Sequence, residues 1–189
     1  MRNVLLSLLA VGLVACATAC STEPKSQDQR EALRDNAKAS LKSMEARDAG
    51  LANVVNNAYA YIVFPDVGKG GFVIGGAFGR GIVYANGQMV GYAAIDQASV
   101  GALAGGQSYE ELIVFKDQNA FQKFQDNRLS FGADVSAVAL KAGAAASAQF
   151  RNGVEVFIHN QGGLMADASL NGQNISFHAT RDVDTNYND

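Results

Sequence analysis

The sequence predicts an α+β fold. An N-terminal helical segment packs on a strongly curved, mostly antiparallel β-sheet, partly closed like a barrel, with one further internal helix. Three observations predict it. Between Arg30 and Ala58 apolar residues recur at helical spacing. Beyond Ala58 short apolar runs follow one another, each bounded by Gly, Asn or Asp, which is strand punctuation. Glycines sit inside those runs, where they mark bulges, bends or close backbone approach, as a tightly curved sheet requires.

The helical segment comes first. Leu33, Ala37, Leu41, Met44, Leu51 and Val55 are spaced by three, four or seven residues and share one face of a 3.6-residue period. Arg34, Asp35, Lys38, Lys42 and Glu45 fill the other face, and Gly50 is expected to divide the segment in two. The runs "AYAYIVF", "GFVIGGAF", "RGIVYA", "QMVGYAAI", "SVGALAG" and "ELIVFK" read as strands, the first ending at Pro65. Asn86-Gly87 between two runs predicts a type I′ hairpin, and Asn152-Gly153 and Asn171-Gly172 repeat the device. "KDQNAFQKFQDN" predicts the internal helix, with Asp117 as N-cap and Phe121 and Phe124 facing the core. From Asp134 to Phe150 alanines favour helix, whereas alternation and the glycines favour strand; the reading here is strand. "VEVFIHN", "GGLMADASL" and "QNISFHA" are expected to complete the sheet before a polar tail.

The beginning of the chain reads differently. Met1-Arg2-Asn3 is a short basic stretch, and "VLLSLLAVGLVA" is an apolar run of signal-peptide length. Cys16 and Cys20, the two cysteines of the chain, follow. "LVAC" ending at Cys16 resembles a bacterial lipobox, and "ATAC" ending at Cys20 is the alternative. The expected organisation is a lipoprotein signal peptide (residues 1–15), a lipidated tether (16–29), a domain (30–180) and a polar tail (181–189). Fatty acyl chains of the palmitate type on Cys16 would anchor the mature chain. With no acidic residue directly after either cysteine, the resemblance to bacterial lipoproteins implies outer-membrane sorting, with the domain facing the periplasm or the cell surface.

Several chemistries find no support. Gly68 and Gly70 begin a dinucleotide fingerprint, but Val73 stands where its third glycine belongs, and no helix pattern follows. Lys69 is followed by Gly70, so there is no phosphate loop. His159 and His178 lack metal-ligand spacing, and no G-x-S-x-G elbow occurs. Glu110 and Glu111 are adjacent strand residues on opposite faces, with Glu110 expected to be solvated, while Asp66 and Asp96 are expected in turns. Net charge is −3, and the aromatic runs are not interleaved with cations as nucleic-acid binding requires. The expectation is no enzyme, no cofactor, no metal and no nucleic acid.

"YIVFPDVGKGGFVIGGAFGRGIVY", "SVGALAGGQSYEELIVF", "ADVSAVALKAGAAASA" and "GGLMADASLNG" occur in the order of the blocks of the SYLF domain family, also called Ysc84. The chain resembles that family from about Arg30 to Ala179. The resemblance implies a domain that binds membrane lipids. Eukaryotic members bind phosphoinositides, some bind actin, and bacterial members are commonly lipoproteins. The expected function is therefore lipid binding at an anionic phospholipid membrane, through Lys69 and Arg80 of the Gly-rich turns and Arg34, Lys38 and Lys42 of the helix. The alternative is a structural or protein-interaction lipoprotein in which only the acyl anchor touches lipid.

Overall fold

A computed structural model describes residues 23–71, 74–100, 105–132, 134–135, 137–162 and 173–180. Two helices open it, α1 (Gln27–Arg47) and α2 (Ala49–Asn56). Ser26 caps α1 by accepting from the Gln29 N–H at 3.2 Å. The tether expected to reach residue 29 is thus already helical from Gln27. The break between the helices falls at Asp48 rather than Gly50, because the Asp48 carboxylate caps α2 by accepting from the Gly50 N–H at 3.0 Å.

Four long strands follow: β1 (Ala60–Gly71), β2 (Ile74–Ala85), β3 (Gln88–Val100) and β4 (Gly105–Phe115). Then come α3 (Gln118–Gln125), β5 (Ala137–Ala139), a 3₁₀ turn (Ala145–Ser147), β6 (Val154–Gly162) and β7 (Ile175–Ala179). The strands form one sheet in the order β5-β6-β4-β1-β2-β3-β7. Each neighbouring pair is antiparallel except β5 and β6, which are parallel.

The strands are longer than the sequence runs suggest. β1 does not stop at Pro65. Its ladders to β2 and β4 both resume at Val67, leaving Pro65 and Asp66 in a bulge. A bulge lets a proline, which has no N–H to donate, sit in a central strand. "GFVIGGAF" and "RGIVYA" are likewise halves of one strand, carried straight through Gly79 and Arg80. Gly81 is required by close approach, since a Cβ there would stand 2.8 Å from the Val63 carbonyl oxygen and the Phe64 ring. The turn at Asn86-Gly87 has φ of 51° and 78°, as the type I′ hairpin demands. Asn152-Gly153 repeats this geometry, whereas Asn171-Gly172 and "MADASL" lie outside the described residues. The ambiguous 134–150 segment contributes only the three residues of β5 and the 3₁₀ turn.

Both faces of the sheet are covered. On one, Ala37 and Met44 of α1 and Leu51 and Val55 of α2 pack on Val63, Ile82, Tyr92, Leu112, Val114 and Phe157. These helix residues are the apolar stripe read from the sequence. The other face is concave and holds Ile62, Phe64, Ile95, Ile113 and Val156, roofed by Phe121 and Phe124 of α3. The curvature is visible in what touches across it. The Phe121 ring lies 5.4 Å from Phe115 of β4 and 6.1 Å from Phe177 of β7. In a flat sheet, strands four places apart would be separated by about 19 Å. The sheet is strongly curved but open: β5 and β7 are its edges, and the expected partial closure is not seen among the described residues.

Candidate functional site

The described cations expected to meet lipid divide by element. Arg34, Lys38 and Lys42 recur every fourth residue along α1 and so form one stripe. Lys38 and Lys42 are exposed, but Arg34 is drawn inward. It lies near buried Tyr92; burial raises the Tyr92 pKa, and the positive charge of Arg34 opposes that rise. Arg34 therefore sets its charge against β3 rather than wholly in solvent.

Arg80 lies within β2, not in a turn. Ile82 of the same strand is buried beneath the helices, and alternation puts Arg80 and Phe78 on that same helix-bearing face. Arg80 is exposed, and Phe78 is 60% exposed, the one large apolar side chain left so open among the described residues. Gly68 and Asp96 flank Phe78 in the neighbouring strands, and Ala94 flanks Arg80. Gly68 beside Phe78 and Ala94 beside Arg80 are small, and the Pro65-Asp66 bulge interrupts the β1 ladder next to Arg80. Phe78 was not singled out from the sequence. Its alternation with Arg80 was visible there, but not the fact that helix cover ends before it.

Lys69 also lies within a strand rather than a turn, paired with Ala77 of β2 and Gln107 of β4. Lys38, Lys42, Arg80 and Phe78 thus lie on one side of the sheet. Cys16 and Cys20 lie outside the described residues.

The acidic residues also depart from their expected places. Asp66 sits in the β1 bulge, and Asp96 is a strand residue whose N–H donates to the Asn174 carbonyl at 3.1 Å. Glu110 and Glu111 do face opposite ways, yet neither is solvated: Glu110 is 6% exposed, and Glu111 is fully buried. Glu111 reaches the concave interior, where Gln173 Nε2 donates to its Oε2 at 3.2 Å and to the Tyr109 hydroxyl at 3.0 Å. Burial raises the Glu111 pKa to about 7, with the Gln173 hydrogen bond opposing. His159 is lowered, first by burial and then by Arg47, with Glu110 opposing. His178 is exposed beside Glu23 at 3.5 Å. No group of three His, Cys, Asp or Glu residues suited to a metal occurs among the described residues. No described helix is long and apolar enough to cross a membrane.

The family model for Ysc84, described as a Las17-binding protein actin regulator, matches residues 96–186. Residues 96–186 belong to the Ysc84 family. No curated protein matches the chain. The Ysc84 span begins at Asp96 within β3 and takes in β4, α3 and β5 to β7. The first helices, β1 and β2 precede it, but β1 and β2 lie between β4 and β3 in the same sheet. The described strands of the Ysc84 span and those before it therefore share one sheet. Phe78 and all five candidate cations lie before the Ysc84 span.

Proposed function

We propose that this chain is a non-enzymatic lipid-binding lipoprotein of the bacterial envelope, anchored through Cys16 (or Cys20) and meeting anionic headgroups with the helix-bearing face of its sheet. The carrying observation is the pair Phe78 and Arg80: an open aromatic ring beside an exposed cation, on the face that bears Lys38 and Lys42. An interfacial aromatic ring contributes up to about 3 kcal/mol by burial. Each cation contributes about 1 kcal/mol near an anionic surface. Such terms alone hold a domain weakly, but they orient one that an acyl chain already tethers. The lipid reading follows the SYLF resemblance; the family description itself names a protein partner.

Co-sedimentation with vesicles tests this, using the chain without residues 1–20, which keeps every described element. Binding to phosphatidylglycerol vesicles, weakened by salt and by Arg80→Glu, supports the proposal. Lys69→Glu is expected to weaken binding if that strand also meets headgroups; unchanged binding removes Lys69 from the contact. Absence of binding, with a protein partner recovered by crosslinking, favours the alternative in which only the anchor touches lipid.

A further inference from the structure

A groove of about 480 Å³ lies between α3, the β2–β3 hairpin and β7. Its polar lining is made of side-chain amides from two elements: Asn86 and Gln88 of the hairpin, and Gln118, Gln122 and Gln125 of α3. All five are exposed. Its apolar lining includes the rings of Tyr59, Phe121 and Phe177, the first and last of them half-buried. No lining residue carries a formal charge. The walls are fixed, because the Asn86 N–H donates to the Tyr59 carbonyl at 2.9 Å and Phe121 packs on Phe177.

This lining selects its ligand by chemistry. A charged ligand entering it would lose hydration and gain no countercharge. A purely apolar one would cover amides that need partners. Each amide offers both an acceptor and two donors, the requirement of a hydroxyl or acetamido group. Aromatic surface beside them accommodates the C–H face of a sugar ring, a body apolar on one side and polar at its edge. We propose that the groove binds a neutral saccharide, with the amides holding hydroxyl or acetamido groups and the aromatic rings receiving the sugar face. A compact concavity suits a few sugar rings better than an extended strand, which would instead run along the β7 edge. The site is built from a different part of the molecule than Phe78 and Arg80, and it stands whether or not that face meets lipid.

Saturation-transfer NMR on the full chain in phosphocholine micelles tests the proposal, with chitotriose as the neutral probe and trigalacturonate as a charged one of equal length. Chitotriose is expected to show saturable transfer and trigalacturonate none. Gln118→Ala with Gln122→Ala is expected to weaken chitotriose binding by about tenfold, the order expected for lost hydrogen bonds. Both side chains are exposed, so the melting temperature of the variant should stay that of the parent. Absence of transfer to chitotriose overturns the proposal, as does transfer untouched by the double substitution. Preference for trigalacturonate overturns it too. So does a neutral alanine-serine hexapeptide that shifts the β7 amides while chitotriose shifts none, because the groove would then take a peptide strand.

Discussion

Glu111→Gln isolates a carboxyl that the curved sheet buries completely. Glu111 Oε2 has one donor, Gln173 Nε2, and Oε1 has no hydrogen-bond partner among the described residues. One donor does not replace hydration, so burial raises the pKa from 4.5 to about 7. A carboxyl with a raised folded pKa binds its proton more tightly in the folded chain than in the unfolded one. Its contribution is therefore complete below the unfolded value and is lost as pH rises through the folded value. At about 1.4 kcal/mol per tenfold change in proton affinity, the wild-type chain loses about 3 kcal/mol from this group between pH 4.5 and pH 8. Glutamine keeps the shape and cannot ionise, so the variant lacks that loss. Urea unfolding at both pH values measures it, and subtracting the variant from wild type cancels the other titrating groups. His159, lowered, acts in the opposite direction in both chains. Parallel stability curves for the two proteins across this range would refute the reasoning, since Glu111 would then be ionised in the fold or not buried by it.

Three further outcomes are expected. Asp48→Ala should cost about 1–3 kcal/mol in urea unfolding, because Asp48 caps α2 and accepts from the Ala145 N–H at 2.7 Å, joining the helix break to the 3₁₀ turn. The Ala145 amide, helped by those of Gly50, Gly143 and Ala144, lowers the Asp48 pKa against burial, so this contribution is present above the unfolded value and fades as pH falls below it. Gly81→Ala should lower the melting temperature by an amount equivalent to about 1–3 kcal/mol, as its methyl meets the Val63 carbonyl and Phe64 at the bulge. Phe78→Ser should leave stability within about 0.5 kcal/mol, because the ring is open, yet reduce sedimentation with anionic vesicles.

What could be read from the sequence was local. The stripe Ala37, Met44, Leu51 and Val55 follows from helical period, the Asn86-Gly87 hairpin from turn chemistry, and the Asp117 cap from its place before α3, where it accepts from the Ala120 N–H. What could not be read depends on pairing between distant residues. Pro65 looked like a strand end because its bulge is defined only by the simultaneous ladders to β2 and β4. Gly79 and Arg80 looked like a turn because nothing in their own spacing shows β1 and β3 holding them straight. The burial of Glu111 could not be read because it is made by curvature and by Gln173, 62 residues away. The candidate cations were all visible, but the strand positions of Lys69 and Arg80 were not, since those are a matter of pairing. Tyr92 illustrates the same limit: the Arg34 charge that opposes the rise in its pKa comes from far along the chain.

The chain contains no Trp, so Phe78→Trp creates a single fluorescent reporter at the proposed membrane contact, and Gln122→Trp creates one on α3. Tryptophan emission, with quenching by brominated phosphatidylglycerol vesicles, is recorded for each chain without residues 1–20. The account predicts a blue shift and quenching at position 78, reversed by salt, and neither at position 122. An unshifted emission at 78, or equal quenching at both positions, would contradict it.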